Sequence, residues 1–206
     1  VKKKLIVIIC LLGLVTYGVW VYFVNVGFRE FLPVLQTYKL GQPCSFENDF
    51  FDNTEDATPG YIITVLGSEL LTAREFMESC KLDESTLEQR GDELEPALDY
   101  VYAVKTMVRN DSDNQVDENG NARNGINMLY IELANTTYMN LISEFGCKIA
   151  NTFYEESTFA VRPGTEIEVT FVYGIGSRSV NPENFRRDPP KLVVSHYPTK
   201  KMLETV

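Results

Sequence analysis

Two hydrophobic patterns divide the chain. From Leu5 to Val24 the sequence LIVIICLLGLVTYGVWVYFV has no charged residue, and Lys2, Lys3 and Lys4 stand directly before it. A helix of 20 such residues spans ~30 Å, the thickness of a bilayer's hydrocarbon core. The lysine flank places the N-terminus in the cytoplasm and everything after Val24 outside. Trp20 and Tyr22 lie toward the outer end, where amphipathic rings favour the headgroup region. A cleaved signal would have a shorter apolar core and a small-x-small site, but in Asn25-Val26-Gly27-Phe28 only Gly27 is small. A lipid attached at Cys10 would need a small residue before it, and Ile9 is there. The pattern therefore predicts an uncleaved single-pass anchor. Residues 1–4 are a cytoplasmic stub, 5–24 the transmembrane helix, 25–40 a juxtamembrane tether interrupted by Pro33, and 41–206 one extracytoplasmic domain.

From about Gly41 the hydrophobic period shifts toward two. Tyr61-Ile-Ile-Thr-Val-Leu66 reads as a strand behind a Pro59-Gly60 turn. Thr72 and Glu75 have the spacing of a capping box, which predicts a short helix to about Cys80. Asp99 to Arg109 alternates throughout, with Tyr100, Tyr102, Val104, Thr106 and Val108 on one face. Ile126 to Leu133 is a further strand, and the stretch 135–156 holds one or two more near Tyr138 and Cys147. Arg162-Pro-Gly-Thr165 is a type II turn signal, leading into the alternating strand Glu166 to Tyr173. Residues 81–97, 110–124 and 177–190 read as long polar loops. Lys191 to Tyr197 reads as the last strand, stopped by Pro198, and 200–206 as a tail with helical potential. Many short strands with little helix predict a mainly β, antiparallel sandwich, and the long helices of a doubly wound domain are missing.

Charge narrows the partners. The whole chain carries −10, and without the three anchoring lysines the remainder carries −13. So acidic a surface repels phosphate backbones, which excludes nucleic acid as a natural partner. Cys44, Cys80 and Cys147 lie beyond the anchor and allow at most one internal disulfide. Otherwise they behave as small buried hydrophobes. None has zinc spacing.

Several of these features occur together in a family pattern. The single N-terminal anchor, Leu40-Gly41 before the first strand, Val108-Arg109-Asn110 ending a central strand, the Arg-Pro-Gly-Thr turn and the Tyr197-Pro-Thr-Lys-Lys-Met202 ending are the matching features. The chain resembles an uncharacterised family of Gram-positive, membrane-anchored extracytoplasmic proteins with an immunoglobulin-like domain. That resemblance covers roughly residues 38 to 203 and implies an immunoglobulin-like fold. It assigns no catalytic or ligand residues.

Candidate chemistry is sparse. His196 is the only histidine, so a hydrolytic triad would have to use it. Its neighbour Ser195 points the opposite way on a strand, and no GxSxG elbow is present. Glu166 and Glu168 share a strand face, which suits solvent as well as it suits a carboxylate pair. Asp111, Asp113, Asp117 and Asn119-Gly120 crowd oxygen ligands into one loop, but Ile126 falls where an EF-hand needs its bidentate Glu. Asn110-Asp-Ser112 and Asn135-Thr-Thr137 match the glycosylation triplet. Tyr100, Tyr102, Tyr130, Tyr138, Tyr154 and Tyr173 fall on or near strands and would form a recognition face where exposed. The reading is a non-catalytic, membrane-anchored binding module at the bacterial cell envelope. It uses no cofactor or metal and takes a protein, peptide or cell-wall partner. Alternatives are an envelope hydrolase of unrecognised type and an accessory subunit of a membrane complex.

Overall fold

The computed structural model describes residues 11–24, 32–51, 58–81, 100–112, 125–127, 129–133, 138–139, 147, 150–151, 158–175 and 181–206. The chain divides into two compact units, Val1–Val34 and Leu35–Val206. In the first, residues 11–24 form helix α1. Its apolar side chains are exposed on every side, among them Leu11, Leu14, Tyr17, Trp20 and Phe23. Among the described residues, no helix is long and apolar enough to cross a membrane. Residues 5–10 of the expected span lie outside the described residues.

The second unit is mainly β, two sheets packed as a sandwich with short helices. One sheet has the order β2 (Cys44–Ser45), β3 (Tyr61–Thr72), β4 (Tyr100–Asn110) and β9 (Thr165–Ile175). The other has the order β1 (Val34–Tyr38), β11 (Thr199–Leu203), β10 (Lys191–Ser195), β6 (Tyr130–Glu132) and β7 (Tyr138–Met139). A separate pair joins β5 (Ile126–Asn127) to β8 (Thr158–Phe159).

Strand β4 is the centre of the four-stranded sheet. It runs antiparallel to β3 from Tyr100↔Thr72 to Asn110↔Tyr61, and to β9 from Tyr100↔Ile175 to Asn110↔Thr165. Alternation along it buries Tyr102, Val104, Thr106 and Val108. Between Val65 and Gly67 the β3 register shifts, and Leu66 is the unpaired residue, exposed to 46%. That bulge lets Tyr61, Ile63 and Val65 stay inside while the ladder continues. From the opposite sheet come Ile131, Leu192 and Leu203, fully buried in the same core as Phe171 and Tyr173. The Tyr173 hydroxyl donates to the Leu129 carbonyl at 2.8 Å, so this large ring is buried with its polar tip satisfied.

The predicted helix is present as α2 (Ala73–Ser79), with both capping-box bonds and Cys80 at its C-terminal cap. The turn before β9 is also present: Gly164 has φ of 73°, and the Thr165 N–H donates to the Arg162 carbonyl at 3.1 Å.

Four expectations need correction. Residues 34–38, expected within a tether, form β1 beside β11. Residues 199–203 of the expected tail form β11, because they pair antiparallel with β10, Leu203 opposite Leu192 and Met202 opposite Val193. Cys147 is helical, and its carbonyl accepts from the Asn151 N–H at 2.9 Å. The polar stretch 177–190 contains helix α3 (Pro182–Arg187), capped by the Asn181 side chain with proline opening the first turn. Its Phe185 is buried and meets the Tyr102 ring edge-on at 5.5 Å.

Truncating Leu192 to alanine should cost about 2–5 kcal/mol, because a fully buried side chain would leave a cavity. Leu66→Ala at the exposed bulge should change stability by less than about 0.5 kcal/mol. Urea unfolding followed by circular dichroism tests both, since the only tryptophan, Trp20, lies in α1.

Candidate functional site

The last strand carries a lysine where the core pattern asks for a hydrophobe. On β11, Lys201 and Leu203 share the inward face, and both are buried, to 2% and 0% exposure. A register shift on β10 between Val193 and Ser195 sets Lys201 opposite Ser195. A buried ammonium is costly unless all its donors and its charge are met, and here three partners meet them. The Lys201 Nζ donates to the Ser45 carbonyl at 2.9 Å and to Glu47 Oε2 at 3.1 Å. It also stands 2.5 Å from Asp49 Oδ2.

Asp49 is itself 6% exposed, whereas the Glu47 side chain is 72% exposed. The Thr199 N–H donates to Asp49 Oδ1 at 3.1 Å. Burial alone would push the Lys201 pKa down, but the bonds and charges of Asp49 and Glu47 outweigh it and raise the value.

The segment that brings Asp49 also builds an aromatic edge. The Phe50 N–H donates to the Tyr197 carbonyl at 2.7 Å. In return, the Phe50 carbonyl accepts from the N–H groups of His196 and Tyr197 at 2.9 and 3.1 Å. Phe51 lies flat on Tyr130 at 4.2 Å and beside the His196 ring at 3.9 Å. Phe50 stacks on Tyr197 at 6.2 Å, and Tyr197 is 45% exposed.

Cys44, at the start of this segment, is fully buried. Burial pushes its thiol up to about 11, and the neighbouring Lys201 charge offsets this only in part. Burial, then the Cys44 charge, raises Tyr38 as well.

The residues singled out in the sequence are distributed differently. Ser195 does not serve His196: its hydroxyl donates to the Thr199 carbonyl at 2.8 Å, while the histidine ring packs on Phe51. Glu166 and Glu168 are exposed on β9. Asp111 pairs with Arg109 at 2.7 Å, while Asp113, Asp117, Asn119 and Gly120 lie outside the described residues. Among the described residues no group of His, Cys, Asp and Glu has metal-holding geometry. Among the described residues Cys44, Cys80 and Cys147 form no disulfide. Asn110 is fully buried, donating to the Val161 carbonyl at 2.7 Å, so its glycosylation triplet is out of reach. Asn135, Tyr154 and most of the loops 81–97 and 110–124 lie outside the described residues. Tyr102 and Tyr173 fill the core and Tyr100 packs against it, while Tyr130 stands at the aromatic edge, joined there by Tyr197, which the sequence did not single out.

Sequence reasoning missed the Lys201 cluster. Its only signal was a Lys-Lys pair inside a segment alternating toward the C-terminus, and the inward choice depends on the β10 register.

The family described as Domain of unknown function (DUF5028) matches residues 35–201. The chain belongs to that family, and the matched region contains both Asp49 and Lys201. No curated protein and no solved structure matches the chain.

Replacing Asp49 by alanine should destabilise the sandwich by up to about 3–5 kcal/mol, because it removes the buried carboxylate and leaves the cation only the exposed Glu47 and the Ser45 carbonyl. Glu47→Gln at the exposed position should cost less than about 1 kcal/mol. Urea titrations of the two variants should differ accordingly. For Cys44, the folded value lies above the unfolded one. Its contribution is therefore complete below about 8.5, the ordinary thiol value, and is lost as pH rises to about 11. Cys44→Ala should flatten the fall in stability across that window, as measured by unfolding midpoints against pH.

Proposed function

We propose that the protein is a non-catalytic binding module, immunoglobulin-like in architecture, anchored at the outer face of a bacterial membrane by its N-terminal helix. The observation that carries this reading is α1, apolar on every face with its large side chains exposed. A helix of that kind is stable in a bilayer or buried in a large core, and not in water. Residues 5–10 continue the same composition, and Lys2 to Lys4 supply the cytoplasmic flank. The size of the second unit and its two antiparallel sheets fit the immunoglobulin-like class.

The aromatic edge supports a recognition role. Phe50, Phe51, Tyr130, His196 and Tyr197 gather large rings that lose few rotamers on binding. Aromatic clusters of this type are where interfaces concentrate their energy. A protein partner in the same membrane is the occupant favoured here, with the acidic domain surface selecting against anionic ones.

A photocrosslinking residue placed at Tyr197, in the intact protein in its native membrane, should capture one dominant protein. The same probe at Glu168, exposed on β9, should capture little. Equal capture at both positions, or cell-wall material alone at Tyr197, would sink the proposed surface. A reporter active only outside the cell, fused after Val206, should be active.

A further inference from the structure

We propose that the side of the sandwich carrying Leu35, Leu40 and Leu66 rests on the outer surface of the lipid bilayer, so that the domain lies against the membrane and does not hang free from its anchor. This rests on the anchoring reading above and adds an orientation to it.

Among the described residues of the second unit, the large hydrophobics left exposed are Leu35, Leu40, Leu66, Tyr197 and Val206. Tyr197 belongs to the aromatic edge, and Val206 is the last residue. The other three gather on one side. Strands β1 and β2 are the edge strands of the two sheets, and residues 39–43 link them. In that link the Gly41 N–H donates to the Val65 carbonyl at 3.0 Å. Leu40 and Leu66 each adjoin one of these bonded residues, and both stay exposed. Leu35 lies on β1 itself. Edge strands are commonly guarded by a charge, a proline or a bulge, and Val34–Tyr38 contains no charge and no proline.

Charge and chain length say what covers this side. From Phe31 to Phe46 there is no Asp or Glu, and Lys39 is the only charged residue. The exposed Glu69, near the bulge, is paired with Lys105 at 3.8 Å. The chain beyond the anchoring lysines carries −13, so a membrane face bearing anionic lipid repels most of the domain and accepts this side. A second copy would bring the same −13, and three partly exposed leucines fall far short of the ~800 Å² per partner that a stable interface buries. A lipid surface needs no such area, because the anchor already holds the domain beside it. The ten residues from Val24 to Val34 reach at most about 36 Å in any conformation. Contact is therefore intramolecular in effect, and a few leucines entering the headgroup boundary suffice to bias it.

The test uses the intact protein in vesicles of phosphatidylcholine and phosphatidylglycerol whose acyl chains are brominated near the headgroup. Trp20 is the only tryptophan, so quenching of the wild-type protein reports on the anchor alone. In a Trp20→Phe background, Leu40→Trp and Leu66→Trp report on the proposed side. Glu168→Trp is the control, exposed on β9 at the opposite edge of its sheet from β2. With circular dichroism unchanged, the two leucine variants should lose emission relative to unbrominated vesicles, and the control should keep it. Quenched Trp20 with unquenched Leu40→Trp and Leu66→Trp overturns the orientation and leaves the anchoring reading standing. Unquenched Trp20 overturns the anchoring reading and this inference with it. Equal loss at all three introduced tryptophans also overturns it. So does emission at Leu40→Trp that is blue-shifted yet unquenched, which would place protein, such as a second copy, over this side.

Discussion

The pairing of β4 on both edges is the constraint from which the rest of the sandwich follows. Its register is continuous against β9 from Tyr100 to Asn110, and against β3 it is interrupted only at the Leu66 bulge. A one-residue slip on either side would turn every inward side chain outward. Two polar devices hold the ends of this strand. At one end Asn110 is fully buried and donates to the Val161 carbonyl, while accepting from the Ser112 N–H. At the other, the Tyr102 hydroxyl meets Ser68 at 2.7 Å and Thr205 at 2.6 Å, and Thr205 donates to the Pro190 carbonyl. The C-terminus is thereby tied to the central strand by side chains. Each of these buried groups would be expensive alone, and each is satisfied only in the observed register.

Elements whose cause is local were legible in the sequence. The β4 and β9 strands alternate over residues 104–110 and 166–171. Helix α2 is announced by Thr72 and Glu75, and the turn before β9 by Pro163-Gly164. Elements that exist because of a distant partner were not. Strand β1 has exposed side chains and no clear period, and its place depends on β11. β11 contains adjacent lysines that, read alone, suggest a solvated tail. Helix α3 had a readable start in Asn181-Pro182, but at six residues it has too few turns to display a periodicity. Its stability comes from one buried anchor, Phe185.

The site shows the same division. His196 attracts attention as the only histidine, yet its ring serves packing against Phe51. Lys201 attracts none, because the chain carries many basic residues and nothing in the sequence says which one turns inward. That depends on the shift at Val193 and Ser195, a property of two strands together. Asp49 is hidden for a related reason. It lies in an irregular segment, and its burial follows from the bridge of Phe50 to Tyr197. Charge pairs within one helix or across one hairpin can be read from spacing, whereas residues 49 and 201 meet only after both sheets have formed.

A buried ion pair is a poor stabiliser, since the desolvation of two charges consumes most of their attraction. A hydrophobic pair of similar volume would hold β11 at least as well. What the lysine and aspartate add is directionality. Only one register of β11 brings Nζ to Asp49, Glu47 and the Ser45 carbonyl together, and a slip by one residue would offer Lys200 or Met202 in its place. The same arrangement fixes the chain leading to the aromatic edge, because Asp49 directly precedes Phe50 and Phe51. The Phe50–Tyr197 bridge and the Lys201–Asp49 pair therefore hold the same segment against the end of the second sheet.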